Sequence, residues 1–140
     1  MIYLDNAATK APFDIVTKAM KPYETLYFAN PESNYTFAGP GHKAVKNSRK
    51  IISDTLGCNK EEIYFTSGGC EGDNWAIKLG ALARRKEGNH IIASPIEHHA
   101  ILNSLKFMES IGFKVSYARV FENGIVSLES VKKLITKKQY

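Results

Sequence analysis

Apolar residues recur along this chain with two different periods, and the places where the period changes divide it into elements. Between Pro12 and Leu26, the residues Ile15, Val16, Ala19, Tyr23 and Leu26 fall at helical spacing, which predicts a helix broken at Pro22. Asn30, Pro31, Ser33, Asn34, Gly39, Pro40 and Gly41 mark Phe28 to Gly41 as a loop. A second helix is expected to carry Ala44, Val45, Ser48, Ile51, Ile52, Thr55 and Leu56 on one apolar face and to stop at Gly57. Ile63-Tyr64-Phe65 then reads as a buried strand, and Trp75, Ala76, Leu79, Leu82 and Ala83 mark the helix after it. His90–Ser94 is the next strand, Ile101, Leu102, Leu105, Met108 and Ile111 define a helix, and Phe113–Tyr117 alternates as a third strand. Leu128, Val131, Leu134 and Ile135 close the series as a short helix. Strands separated by helices predict parallel βαβ units and an α/β fold, and the lack of a linker or repeat predicts one domain over residues 1–140.

The most informative junction is Tyr64-Phe65-Thr66-Ser67-Gly68-Gly69-Cys70-Glu71-Gly72-Asp73-Asn74, where an extended run ends in glycines and a helix begins at once. Unpartnered N–H groups and the macrodipole make such a helix start attractive to a phosphate, and Gly68 and Gly69 admit a close anion. The same turn also serves as a tight strand-to-helix connection. His98 follows a strand end, where ligands collect in parallel sheets, and an imidazole is suited to proton transfer; it also reads as an ordinary residue at a helix start. Gly41-His42-Lys43 offers a His-Lys pair that opens a helix ahead of the glycine turn.

Composition narrows the setting. With 140 residues, 44% of them hydrophobic, the chain has material for a single core. It contains no stretch of about 20 apolar residues and no signal-peptide pattern at its start, so neither a membrane partner nor export is expected, and a cytoplasmic location is. Cys58 and Cys70 do not form a CxxC pair and are expected to be reduced thiols. The net charge of +5 is spread along the chain, and Lys132, Lys133, Lys137 and Lys138 fit a solvated helix face. No nucleic-acid-reading module accompanies this charge, and no metal site is expected.

Tyr3-Leu4-Asp5-Asn6-Ala7-Ala8-Thr9, Asn30-Pro31-Glu32-Ser33 with Gly39, Thr66-Ser67-Gly68-Gly69, Glu97-His98-His99-Ala100 and Asn123-Gly124-Ile125-Val126 occur in an order that resembles the NifS/IscS-type cysteine desulfurases. These are class V members of the fold-type I enzymes dependent on pyridoxal 5′-phosphate. The resemblance spans nearly the whole chain but only the N-terminal part of the family. It implies an N-terminal arm and the first part of the large domain, with a mostly parallel sheet flanked by helices and left incomplete. In the family, backbone N–H groups and a threonine hydroxyl at the glycine turn hold the cofactor phosphate; Gly69 and Cys70 take those places here. A thiol is a weaker donor than a hydroxyl. His98 falls where the family stacks an imidazole on the cofactor ring, while Thr36 stands where a histidine usually follows the Asn-Pro-x-Ser loop. Asn6–Thr9 match an arm near the active site, for which packing is an equal reading.

The family's Asn-Asn-Glu-x-Gly segment, ring-nitrogen aspartate, Ser-x-His-Lys motif with its Schiff-base lysine, substrate arginine and nucleophilic cysteine are not found in residues 1–140. The resemblance therefore implies a fragment of an enzyme that moves sulfur from L-cysteine, leaving L-alanine, toward iron–sulfur cluster assembly or another acceptor, with no catalytic residue of its own and no turnover alone. Its expected partners are a second copy in a dimer, a complementary C-terminal polypeptide, and a sulfur-acceptor protein. A non-catalytic remnant or interaction module of the class V family is the alternative, and a selenocysteine lyase or another class V transferase also fits.

Overall fold

Helix starts in this chain are set by proline and glycine more than by apolar spacing. The computed structural model describes residues 2–135, and the chain divides into two compact units, Met1–Tyr64 and Phe65–Tyr140.

In the first unit, helix α1 spans Asp14–Thr25 and helix α2 spans Gly39–Leu56. The expected break at Pro22 does not occur. Pro22 lies in the last turns of α1, where it forfeits a single backbone bond, and its carbonyl accepts from both the Leu26 and Tyr27 N–H groups at 2.8 and 2.9 Å. Helix α2 begins five residues before the first of its expected apolar positions. Pro40 sits in its first turn, where a missing N–H costs nothing, so loop-forming residues start the helix. A 3₁₀ turn over Thr36–Ala38 leads into it. Gly57 ends α2 in the left-handed conformation at φ 69°, and its N–H bonds back to Ser53 O as expected of a glycine cap.

Burial in this unit departs from the apolar pattern. No residue of α1 is buried, and only Gly41 and Ser53 are buried in α2, while Ile51 and Leu56 on its predicted face are 65% and 69% exposed. Helical periodicity reports a face able to pack; a neighbour must be present for it to do so.

The second unit contains the sheet. Strand β1, His90–Ala93, pairs in parallel with β2, Lys114–Tyr117, in the register His90↔Lys114 to Ala93↔Tyr117. Helix α5, His99–Ser110, is the crossover between them, giving the predicted βαβ unit. Ahead of β1 run α3, Gly69–Asn74, a π-helical turn over Trp75–Leu79, and α4, Gly80–Ala83. Helix α3 and the π turn pack on α5. The core lies here: Met108 and Leu105 from α5 are fully buried, and Met108 joins Phe113 and Ala81 with Ile77, Ile91 and Ile111 around them. Phe121 N–H to Ile125 O closes a loop through Asn123-Gly124, where Gly124 takes φ 81°, and helix α6, Leu128–Leu134, follows with Ser127 Oγ accepting the Ser130 N–H. Lys132 and Lys133 are in α6; Lys137 and Lys138 lie outside the described residues.

The expected strand at Ile63-Tyr64-Phe65 is corrected. Ile63 has extended backbone, φ −94° and ψ 120°, but the sheet of the described residues contains β1 and β2 alone. An apolar run sets an extended conformation, whereas a strand also needs a ladder to a neighbour.

His90 is one of the buried polar residues of the second unit, with Ser104 and Ser127. It is 4% exposed and its Nε2 lies 2.9 Å from Ser116 Oγ across the ladder. Burial, and then the charge of Lys114, pull its pKa below the ordinary 6.5. In the interval between the lowered folded value and 6.5 the unfolded chain binds more protons, so stability falls as pH drops through that interval. Urea midpoints measured between about pH 8 and pH 5 are expected to decline for the native chain and to flatten in His90→Gln, which hydrogen-bonds without titrating. Equal slopes for both would refute the assignment.

Candidate functional site

The glycine turn is a helix start, as its sequence suggests. The first helical bond of α3 runs from the Gly72 N–H to Gly68 O at 3.1 Å, which leaves the N–H groups of Gly69, Cys70 and Glu71 to acceptors outside the helix. A Cβ built at Gly68 or Gly69 meets nothing within 4 Å, so the backbone there is open to an approaching group. Thr66 Oγ1 donates to Gly68 O at 3.2 Å and Asn74 Nδ2 donates to Cys70 O at 2.7 Å, fixing the carbonyls away from that role. Donors facing outward, aligned with the helix dipole, suit a phosphate; the Cys70 thiol, exposed and free, adds a weak donor.

Glu71, which its residue type does not single out, holds the residue ahead of the glycines. One carboxylate oxygen, Oε2, accepts from both the Ser67 N–H and the Ser67 hydroxyl at 2.7 Å. These two bonds, the backbone one first, hold the Glu71 carboxyl below its ordinary 4.5. The clamp fixes the residue that precedes the two glycines and removes Ser67 from the set of free donors. Its signal was present in the sequence as a serine four residues ahead of a glutamate at a helix start, a near relative of the capping box. Because the folded value is lowered, the clamp is intact above 4.5 and is lost as pH falls through that lowered value. In amide-exchange NMR, Glu71→Ala is expected to speed Ser67 exchange by about tenfold or more, with Glu71→Gln intermediate. A Ser67 amide indifferent to both substitutions would refute the clamp.

His98 is the N-cap of α5. The Ala100 N–H donates to its Nδ1 at 3.1 Å, so the ring carries its proton on Nε2, the nitrogen free for another group. The His99 ring stands 6.2 Å away, centroid to centroid, tilted by 60°. Helix α3 packs on α5, and the Gly69–Cys70 turn and His98 each begin one of these two helices.

The remaining candidates fall in the first unit. Asn30 Oδ1 accepts the Glu32 N–H at 3.0 Å and Asn30 O accepts the Ser33 N–H, so Asn30–Ser33 is a self-capped turn. Asn6–Thr9 form an exposed turn in which Asp5 O accepts the Ala8 and Thr9 N–H groups. His42 Nδ1 lies 3.2 Å from Pro31 O, and since a carbonyl only accepts, the ring donates from Nδ1 in a structural bond. Among the described residues no group of three or more His, Cys, Asp or Glu is arranged to hold a metal ion, and no helix is long and apolar enough to cross a membrane.

The parallel βαβ unit and the glycine turn ahead of it lie in a chain that superposes on NifS-like proteins, which makes it part of the large domain of the fold-type I transferases. Residues 2–140 match the aminotransferase class-V family model, and the chain belongs to that family. It is 49% identical over 135 residues to the cysteine desulfurase IscS of Clostridium botulinum, covering 96% of this chain and 34% of that protein. Among solved structures, a NifS-like protein superposes with a TM-score of 0.93 at 34% identity, over 98% of this chain and 38% of that one. SspA in complex with cysteine superposes with a TM-score of 0.89 at 40% identity, over 97% and 39%. The chain thus corresponds to the N-terminal part of NifS/IscS-type cysteine desulfurases and spans about a third of the length of the relatives it matches.

Proposed function

We propose that residues 1–140 form the phosphate-holding, N-terminal portion of a cysteine desulfurase whose Schiff-base lysine and nucleophilic cysteine belong to the rest of the family's length. The observation that carries this reading is the helix start at Gly69 and Cys70, open and donor-lined, in a chain 49% identical to an IscS protein. Pyridoxal 5′-phosphate, when bound, supplies an electron sink for the carbon skeleton of the amino acid. The Gly69 and Cys70 N–H groups would hold its phosphate, Glu71 would keep the turn fixed through Ser67, and His98 would stack on its ring and move a proton at Nε2.

The substrate is L-cysteine, a choice supported by the SspA complex and by the names of the relatives. The products are L-alanine and a persulfide on a cysteine in the rest of the family's length, passed to a sulfur acceptor for iron–sulfur cluster assembly. Dimerisation of the assembled protein, a cytoplasmic setting and a single-domain role for residues 1–140 as arm and partial large domain belong to the same reading. Large apolar residues on α1, among them Ile15 at 77% and Met20 at 54% exposure, support a partner in the assembled state.

The test is a mixing experiment. Residues 1–140, a polypeptide carrying the rest of the family's length, and pyridoxal 5′-phosphate are combined with L-cysteine and a reductant, and sulfide and alanine are measured. Sulfide release is expected from the mixture and from neither polypeptide alone. A mixture that binds the cofactor but releases no sulfide from cysteine would overturn the substrate. A downstream sequence without the Ser-x-His-Lys motif would overturn catalysis.

A further inference from the structure

A cleft of about 520 Å³ lies within the first unit, between α2 and a 3₁₀ turn over Lys60–Glu62 that packs on it. Its size falls in the range of about 300–1,000 Å³ that takes a small molecule. His42, Lys46 and Arg49 line it from α2, and their spacing sets all three on one face of that helix. Lys60 lines it from the turn, so positive groups come from two walls. Val45, Ile63 and Tyr64 add apolar surface.

These walls are held by the protein's own hydrogen bonds. Arg49 Nε donates to Ile63 O at 3.1 Å and ties α2 to the segment after the turn. Glu62 Oε2 accepts the Asn59 N–H at 2.7 Å, in a capping box that fixes the turn carrying Lys60. His42 Nδ1 donates to Pro31 O at 3.2 Å at the start of α2. Walls ordered in advance spare a ligand the cost of ordering them. The cleft also differs from an ordinary solvated lysine face. Lys50, which does not line it, is paired with Asp54 at 2.7 Å, whereas among the described residues Lys46 has no acidic partner.

We infer that this cleft binds a small phosphate monoester, with its phosphate on Lys46 and Lys60 and its organic body against Val45, Ile63 and Tyr64. Two features select phosphate over carboxylate. A tetrahedral phosphate presents oxygens in several directions, which suits ammonium point charges arriving from two walls. A planar carboxylate is best matched by a guanidinium fork, and the Arg49 Nε is already engaged with Ile63 O. Glu32 and Glu61 also line the cleft, so three lysine and arginine charges face two carboxylates. That near balance suits a single phosphate and opposes polyphosphates and nucleic acid, whose further charges would meet the glutamates. Glu61 shares Lys60 at 3.6 Å in an exposed pair, which is worth little and yields to a dianion. None of these residues belongs to the glycine turn, which lies in the second unit, and the inference is independent of the proposed function.

The test is a titration of the chain followed by amide NMR at constant ionic strength, with phenyl phosphate, inorganic phosphate and benzoate as probes. Phenyl phosphate is expected to shift the Lys46, Lys60 and Tyr64 amides along one saturating curve. Inorganic phosphate is expected to bind more weakly, since it leaves the apolar surface uncovered, and benzoate more weakly still. Lys46→Gln and Lys60→Gln are each expected to weaken phenyl phosphate by about tenfold. Lys50→Gln removes a charge of the same sign outside the cleft and is expected to leave binding unchanged. Equal losses in all three variants would reduce the effect to general charge and overturn the site. So would shifts that never saturate, unchanged binding in both cleft variants, or shifts confined to Gly69 and Cys70. Benzoate as tight as phenyl phosphate would overturn the assignment to phosphate. The same spectra report whether each variant is folded, and the readout needs neither cofactor nor turnover.

Discussion

Truncating Met108 to alanine is expected to destabilise the second unit by about 2–5 kcal/mol, through the lost transfer energy of the side chain and the cavity left behind. Met108 is fully buried and sits where α5 meets Ala81 and Phe113, with Ile77, Ile91 and Ile111 closing around it. The buried apolar set is small, so the surroundings have few side chains that can move into the gap. Domains of ordinary size are stable by only about 5–15 kcal/mol, and a cost of this size in a small unit removes most of the folded population. Urea unfolding monitored by circular dichroism measures it, with Ile96→Ala as control. Ile96 is 62% exposed, and its truncation is expected to change stability by no more than about 0.5 kcal/mol. A Met108→Ala effect as small as that of the control would show that the core does not carry this unit.

Substituting His98 separates two roles that share one ring. In the structure Nδ1 caps α5, and in the proposed enzyme Nε2 handles a proton. Alanine loses both, whereas asparagine keeps a strong capping oxygen and has no titrating nitrogen. His98→Ala is therefore expected to cost about 1 kcal/mol of stability, and His98→Asn close to nothing. In the assembled enzyme both are expected to lower kcat by about 10²–10⁴-fold, the usual range for a positioned acid–base group. Unfolding curves of the chain and sulfide release by the mixture supply the two measurements. Full activity in His98→Asn would reduce His98 to a cap, and equal stability losses in both variants would remove the cap as well.

The parts of the fold that could be read from the residues are those whose cause is local. Gly57 ends α2 because the left-handed conformation suits glycine, and β1, α5 and β2 follow from an apolar strand, a helical face and a second strand in immediate succession. Ile63-Tyr64-Phe65 was misread as a strand because its extended conformation is local but its ladder is not. The apolar faces of α1 and α2 show the same limit, since spacing predicts a face and cannot name what covers it. Pro22 was over-weighted: a proline near a helix end loses one bond and need not break the helix. The π turn at Trp75–Leu79 has no distinguishing composition and was invisible.

At the site, the glycine turn and His98 were legible as types in a setting. The capping geometry of His98 was not, because histidine is an uncommon cap and the bond depends on backbone angles of φ −60° and ψ 150°. The role of Glu71 was not legible from its type, since an acidic residue in the first turn of a helix is ordinary and its two bonds to Ser67 depend on the turn's geometry.

The β1–α5–β2 crossover closes entirely within neighbouring sequence, its ladder joining residues 24 positions apart, as in His90↔Lys114. Its buried anchors, Leu105, Met108 and Phe113, lie between the two strands or at the border of the second. Loop closure over so short a span is inexpensive, and structures of low contact order form quickly. This part of the molecule has what it needs to fold while a ribosome is still synthesising later residues, so that a nascent chain would present the edge of β1 before anything made after it has emerged.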